Sequence, residues 1–142
     1  MTDAAAPLVL DTNVVLDWLV FRNPAVTPLE AALAGGRWRW HATPAMLGEL
    51  EHVLTYPSIA PWQPDRGMIL ASFTRWAVIT TALPPTLSHP LRCTDPDDQM
   101  FVDLAAQLGG ATLLSRDRAV LKLARRARPL GVAILTPERW SP

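Results

Sequence analysis

Hydrophobic positions in this chain alternate between two periods. Short continuous apolar runs fall at Leu8-Val9-Leu10, at 111–114 and at 132–135. Each is too short for a buried helix and ends in turn-forming residues, which predicts buried strands. Trp38 to Ala42, rich in aromatics, reads as another strand, and Val78-Ile79-Thr80 as a short extended piece. Between these runs the apolar residues recur at helical spacing. Val14, Val15, Trp18 and Leu19 line a helix that runs to about Val20, with Thr12 or Asn13 as cap and Asn23-Pro24 as breaker. A helix over 27–34 follows, with Thr27 as cap, Pro28 at its first position and Gly35-Gly36 at its end. Thr43-Pro44 opens a third, to about Thr55, whose stripe is Met46, Leu47, Leu50, Val53 and Leu54. Tyr56 to Pro64 is a Pro- and Trp-rich loop, and a helix from Pro64 to about Trp76 carries Met68, Ile69, Leu70 and Phe73. Leu83 to Arg92 reads as irregular. Asp95 as cap and Pro96 at the first position start a helix to about Leu108, closed by Gly109-Gly110. Ser115-Arg116-Asp117 turns into a helix over 118–127, and Thr136 to Trp140 begins one more helical turn.

Strands alternating with helices predict a central parallel sheet covered on both faces, a three-layer α/β/α sandwich. A chain of 142 residues suits one domain, 1–142, around one core. Apolar residues at 49% and charged residues at 18% make it globular rather than disordered. Thirteen basic residues balance thirteen acidic ones, so the chain as a whole does not attract a polyanion. A nucleic acid would have to be held by a local basic patch or by metal ions. The basic residues, Lys122 apart, are all Arg, whose planar fork suits phosphate. A single Cys excludes an intramolecular disulfide and fits a reducing cytoplasm. The first residues lack a basic leader, and no apolar run reaches the roughly 18 residues of a membrane helix.

The chemistry starts at the first strand. Asp11 follows Leu8-Val9-Leu10, where an open α/β sheet binds its ligands. Asp98 lies at a helix start and Asp117 follows the strand at 111–114, so both can share that end of the sheet. In the third helix Glu49 and Glu51 flank the apolar stripe on opposite sides, and spacing leaves open which faces the cleft. Each acid also has a plainer use, since Asp11 and Asp117 suit helix caps and Asp97 and Asp98 suit a helix dipole. Clustered carboxylates repel, and burying them unpaired is costly. A divalent cation relieves both effects, and Mg²⁺ prefers such oxygen ligands together with substrate phosphates. These are the parts of metal-dependent phosphodiester hydrolysis.

The chain resembles PIN-domain proteins, in particular the toxin components of bacterial toxin–antitoxin systems. The likeness runs from Val9 to Trp140. It is strongest at Leu10-Asp11-Thr12-Asn13-Val14 and Asp95-Pro96-Asp97-Asp98. Leu47-Gly48-Glu49-Leu50, Leu114-Ser115-Arg116-Asp117 and Ile134-Leu135-Thr136-Pro137 support it. The resemblance implies an α/β/α sandwich and a ribonuclease dependent on Mg²⁺ or Mn²⁺. It assigns Asp11, Glu49, Asp98 and Asp117 to the metal-binding quartet, which selects Glu49 over Glu51. Thr12 and Asn13 match the polar pair that supports the first acid, and Asp103 falls where relatives often carry an accessory acid. Homodimers and small inhibitory partner proteins, the antitoxins, are further expectations of the family.

Other readings remain beside this one. Arg116 and Arg118 open a basic segment that could guide an RNA backbone, or form a solvated helix face. His41, His52, His89 and Cys93 lack zinc-ligand spacing. Ser115 has no evident base beside it. An aspartyl-nucleophile phosphatase at Asp11 wants a second acid at the position of Asn13, which cannot serve. A non-catalytic RNA-binding or protein-interaction module on the same fold would bind without turnover.

Overall fold

The computed structural model describes residues 5–81 and 89–142. Strand β1 (Ala6–Leu10) occupies the centre of a five-stranded sheet. Leu8, Val9 and Leu10 are buried, as expected of a strand covered on both faces. It pairs in parallel with β2 (Trp38–Ala42) on one side and β4 (Thr112–Leu114) on the other, Leu8 lying opposite both Trp40 and Thr112. Outside them lie β3 (Ala77–Ile79) and β5 (Ala133–Leu135), also parallel, giving the order β3-β2-β1-β4-β5.

Among the described residues, seven α-helices accompany the strands. They are α1 (Thr12–Leu19), α2 (Thr27–Ala34), α3 (Pro44–Val53), α4 (Arg66–Trp76), α5 (Gln99–Leu108), α6 (Arg118–Leu121) and α7 (Ala124–Ala127). Helices on both faces of the parallel sheet make a three-layer α/β/α sandwich of PIN-like type. The chain steps outward from β1 to β3, then returns across the sheet to begin β4 beside β1. The order therefore reverses between β1 and β4, and a crevice opens there beyond their carboxyl ends. Beneath it, Trp40 packs edge-on against Trp18 and Phe73 at ring-centroid distances of 5.8 Å and 4.6 Å. No helix among the described residues is long and apolar enough to cross a membrane.

Several helix ends differ from the sequence reading. Asp11, rather than Thr12 or Asn13, caps α1, its carboxylate accepting the Asn13 backbone N–H. Thr27 lies inside α2, because a 3-10 turn over Pro24–Val26, capped by Asn23, precedes it. Pro96–Asp98 is a 3-10 turn, and α5 begins only at Gln99. The helix expected over 118–127 breaks into α6 and α7. There the Leu123 N–H bonds to Val120, three residues back, which tightens the turn and carries Leu123 into the core. The irregular stretch expected over 83–92 lies mostly outside the described residues.

Candidate metal centre

The acids at the β1–β4 reversal come from four places along the chain, Asp95 and Asp98 sharing one turn. Asp11 ends β1 and is 2% exposed. Its backbone N–H donates to Leu114 of β4 at 3.0 Å, which fixes it at the reversal. One carboxylate oxygen accepts the Asn13 N–H at 2.9 Å, and the other accepts the Ser115 hydroxyl at 2.7 Å. Burial raises the Asp11 carboxyl above its ordinary range. The Ser115 and Asn13 hydrogen bonds oppose that rise, while the charges of Asp117 and Glu49 add to it.

Glu49 reaches the same crevice from α3, where its Oε2 accepts the Thr12 hydroxyl. Glu51, on the other flank of that helix, forms an exposed ion pair with Arg66 at 3.3 Å. The geometry thus separates two residues that helical spacing alone could not.

Asp95, Asp98 and Asp117 converge from the turn before α5 and from the end of β4, each offering a carboxylate oxygen within 4.8 Å of the others. Asp98 is the most perturbed of them. Its carboxyl is pushed up to about 8 by burial, by a hydrogen bond with Asp117 and by the charges of Asp11, Asp117 and Asp95. Its Oδ2 is buried and finds no hydrogen-bond partner among the described residues. Asp117 caps α6 by accepting the Ala119 N–H at 2.7 Å. The plainer role is filled at both Asp11 and Asp117, each capping a helix with one oxygen, and at Asp117 the cap is compatible with a place in the carboxylate group.

Three further residues change the picture drawn from sequence. Ser115, fully buried, joins the two strand-end acids, because its hydroxyl donates to Asp11 and accepts the Asp117 N–H at 3.0 Å. Sequence reasoning weighed it only as a nucleophile. The available signal was its place two residues before Asp117, in the turn that leaves a buried strand. Asp95, assigned to capping alone, does cap its turn but also belongs to the acid group. Asp103 points elsewhere: its Oδ1 accepts from Gln99 at 2.9 Å and lies 2.8 Å from His89 Nε2. With Gln99 bonding the backbone of Leu91 and Cys93, this cluster fastens the segment leading into the acids onto α5.

The basic residues separate likewise. Arg118 is exposed beside Asp117. Arg116 turns its Nε to Asp17 on α1 and its Nη1 to Glu138, 2.8 Å away in the final 3-10 turn (Pro137–Arg139). That hydrogen bond holds the Glu138 carboxyl below its ordinary range.

A cation fits these residues on three observations. The donors are all hard carboxylate oxygens, those of Asp95, Asp98 and Asp117 crowd within 4.8 Å of one another, and one buried oxygen of Asp98 lacks a partner among the described residues. Hard donors of this kind suit Mg²⁺ or Mn²⁺ over softer metals.

Comparison with known proteins agrees with this geometry. The PIN-domain family model matches residues 7–119, which takes in Asp11, Glu49, Asp95, Asp98 and Asp117. No curated protein matches the chain. PIN domains are generally metal-dependent nucleases. A match across most of the chain, on a parallel sheet whose strand-order reversal carries the acids, makes this chain a member of the PIN-domain family.

Proposed function

We propose that the protein is a metal-dependent endoribonuclease and the toxin half of a toxin–antitoxin pair. The observation that carries the nuclease reading is the buried, unpartnered oxygen of Asp98 within the carboxylate group of Asp95, Asp98 and Asp117. A protein that assembles such a group without a counter-charge needs a cation to offset the repulsion. Asp11, Glu49, Asp98 and Asp117 would hold Mg²⁺ or Mn²⁺. A cation bound there supplies activation of water and neutralises charge developing on the phosphodiester.

The chain's own groups supply the rest. Ser115 and the Asn13 N–H orient Asp11. Thr12 directs Glu49, and Asp95 extends the acid group towards solvent. Arg118, Lys122, Arg125, Arg126 and Arg128 are exposed along α6 and α7, with no acid between residues 118 and 128. They offer the phosphate contacts that a chain of zero net charge cannot provide as a whole. The toxin assignment rests on the sequence resemblance, which extends to a small antitoxin covering the site, a homodimer and a cytoplasmic location. A short reading frame for a small protein beside this gene is the matching genomic observation.

The direct test is labelled single-stranded RNA incubated with Mg²⁺, with Mn²⁺ and with EDTA. Cleavage in either metal and none in EDTA is the expected result. A folded protein that takes up no Mn²⁺ and cleaves nothing would instead be a binding module on the nuclease fold. A second expectation concerns the basic segment. Arg118→Ala weakens RNA binding and flattens the slope of log affinity against log salt by about 0.7, the contribution of one contact to a single strand. Filter binding at several salt concentrations measures it, and an unchanged slope would remove Arg118 from the RNA path.

A further inference from the structure

Arg116 stands between Ser115, which hydrogen-bonds Asp11, and Asp117 of the acid group, yet its side chain engages a separate set of partners. Its Nε donates to Asp17, a carboxylate only 9% exposed on α1. Its Nη1 donates to both oxygens of Glu138, at 3.0 Å and 2.8 Å. The remaining nitrogen, Nη2, is buried. With Nε and Nη1 both held by carboxylates and Nη2 buried without a partner among the described residues, the fork is already committed to Asp17 and Glu138.

The connections define what the side chain does. Helix α1 and the 115–117 turn meet at two places. At the start of α1 the Ser115 hydroxyl holds Asp11 and the Asp117 N–H. Six residues along, about 9 Å by helical rise, Arg116 holds Asp17. Asp17 is nearly buried and Arg116 reaches it there, so this second attachment lies within the fold rather than on its surface. A third attachment runs to the turn over Pro137–Arg139, outside the residues that the PIN-domain model matches.

We propose that Arg116 is a positioning residue, a brace that fixes the 115–117 turn, and with it Asp117, against α1 and the C-terminal turn. The inference rests on the nuclease reading and adds to it the final turn as part of the support of the centre. Groups that orient metal-binding side chains typically contribute 10- to 100-fold, by order of magnitude, to metal affinity or activity.

The test compares Mn²⁺ affinity by calorimetry and RNA cleavage kinetics for the parent protein, Arg116→Gln, Asp17→Asn and the double variant. Arg116→Gln is expected to weaken Mn²⁺ binding about tenfold and lower kcat similarly, with KM and the salt slope for RNA unchanged. It also strands the Asp17 carboxylate, so part of its effect could be lost folding. The double variant removes that charge. It is expected to recover the thermal midpoint while keeping the weak Mn²⁺ binding and low kcat. Recovery of Mn²⁺ affinity together with the midpoint would overturn the brace in favour of a purely structural ion pair. A raised KM and a flatter salt slope with kcat intact would overturn it in favour of a substrate contact. If the parent binds Mn²⁺ and Arg116→Gln binds it equally well, only the brace fails; a parent that binds no Mn²⁺ overturns the nuclease reading and the brace with it.

Discussion

Asp98→Asn is expected to lose metal-dependent RNA cleavage by about a thousandfold or more while gaining stability in EDTA at pH 9. The two effects have one cause. The Asp98 carboxyl is pushed up to about 8, so its ionised form is the disfavoured one in the metal-free protein. At pH 9 the parent must carry that charge beside Asp11, Asp95 and Asp117, and Asn does not. Asn keeps the shape but is a far weaker metal ligand, and it leaves the other acids without the group that completes the cluster. A loss of about 4 kcal/mol of transition-state stabilisation, within the several that metal-ion catalysis supplies, is the thousandfold in rate. Single-turnover cleavage measures the first effect and the calorimetric midpoint in EDTA the second. A variant that cleaves normally would remove Asp98 from the centre. One that loses stability at pH 9 would show that its charge is tolerated.

Mn²⁺ affinity is expected to climb with pH and level off above about 8, because metal must displace the proton held at Asp98. Below that value each pH unit raises the apparent affinity about tenfold for one displaced proton. The raised carboxyl of Asp11 steepens the dependence wherever it too carries a proton. Stability of the metal-free protein runs the opposite way. The folded value for Asp98 lies above the ordinary 3.8. Its contribution to stability is therefore complete below that ordinary value and is lost as pH rises through about 8. Titration calorimetry from pH 6 to 9, with thermal midpoints in EDTA over the same range, tests both signs. Affinity independent of pH would mean that Asp98 is already ionised in the free protein.

The sheet and its helices were readable because burial on both faces writes itself locally. Leu8-Val9-Leu10 can hardly be anything but a central strand, and the stripe of α3 follows from spacing alone. The positions of the acids after strands and at helix starts were readable for the same reason. What local pattern could not carry was partnership across the crossovers. Ser115 meets Asp11 from 104 residues away, and Arg116 meets Asp17 from 99 residues away. Nothing in the periodicity around either residue encodes the other. Spacing left Glu49 and Glu51 undecided and only the family resemblance favoured Glu49; the Thr12 hydroxyl that bonds it is brought near by the fold. Asp103 entered as an accessory acid through the family resemblance alone, and its contact with His89, in a stretch without periodicity, was not legible locally. The break between α6 and α7 went unseen because alternating basic and apolar residues there read equally well as one helix or two.

The return of the chain from β3 to a place beside β1 also has a consequence during synthesis. Asp11 is made first, and the strand that seats it, with Ser115 and Asp117 that complete its surroundings, follows more than a hundred residues later. No growing chain shorter than this holds the full set of acids. On the nuclease reading proposed above, the acid centre is thus incomplete until synthesis has passed Asp117.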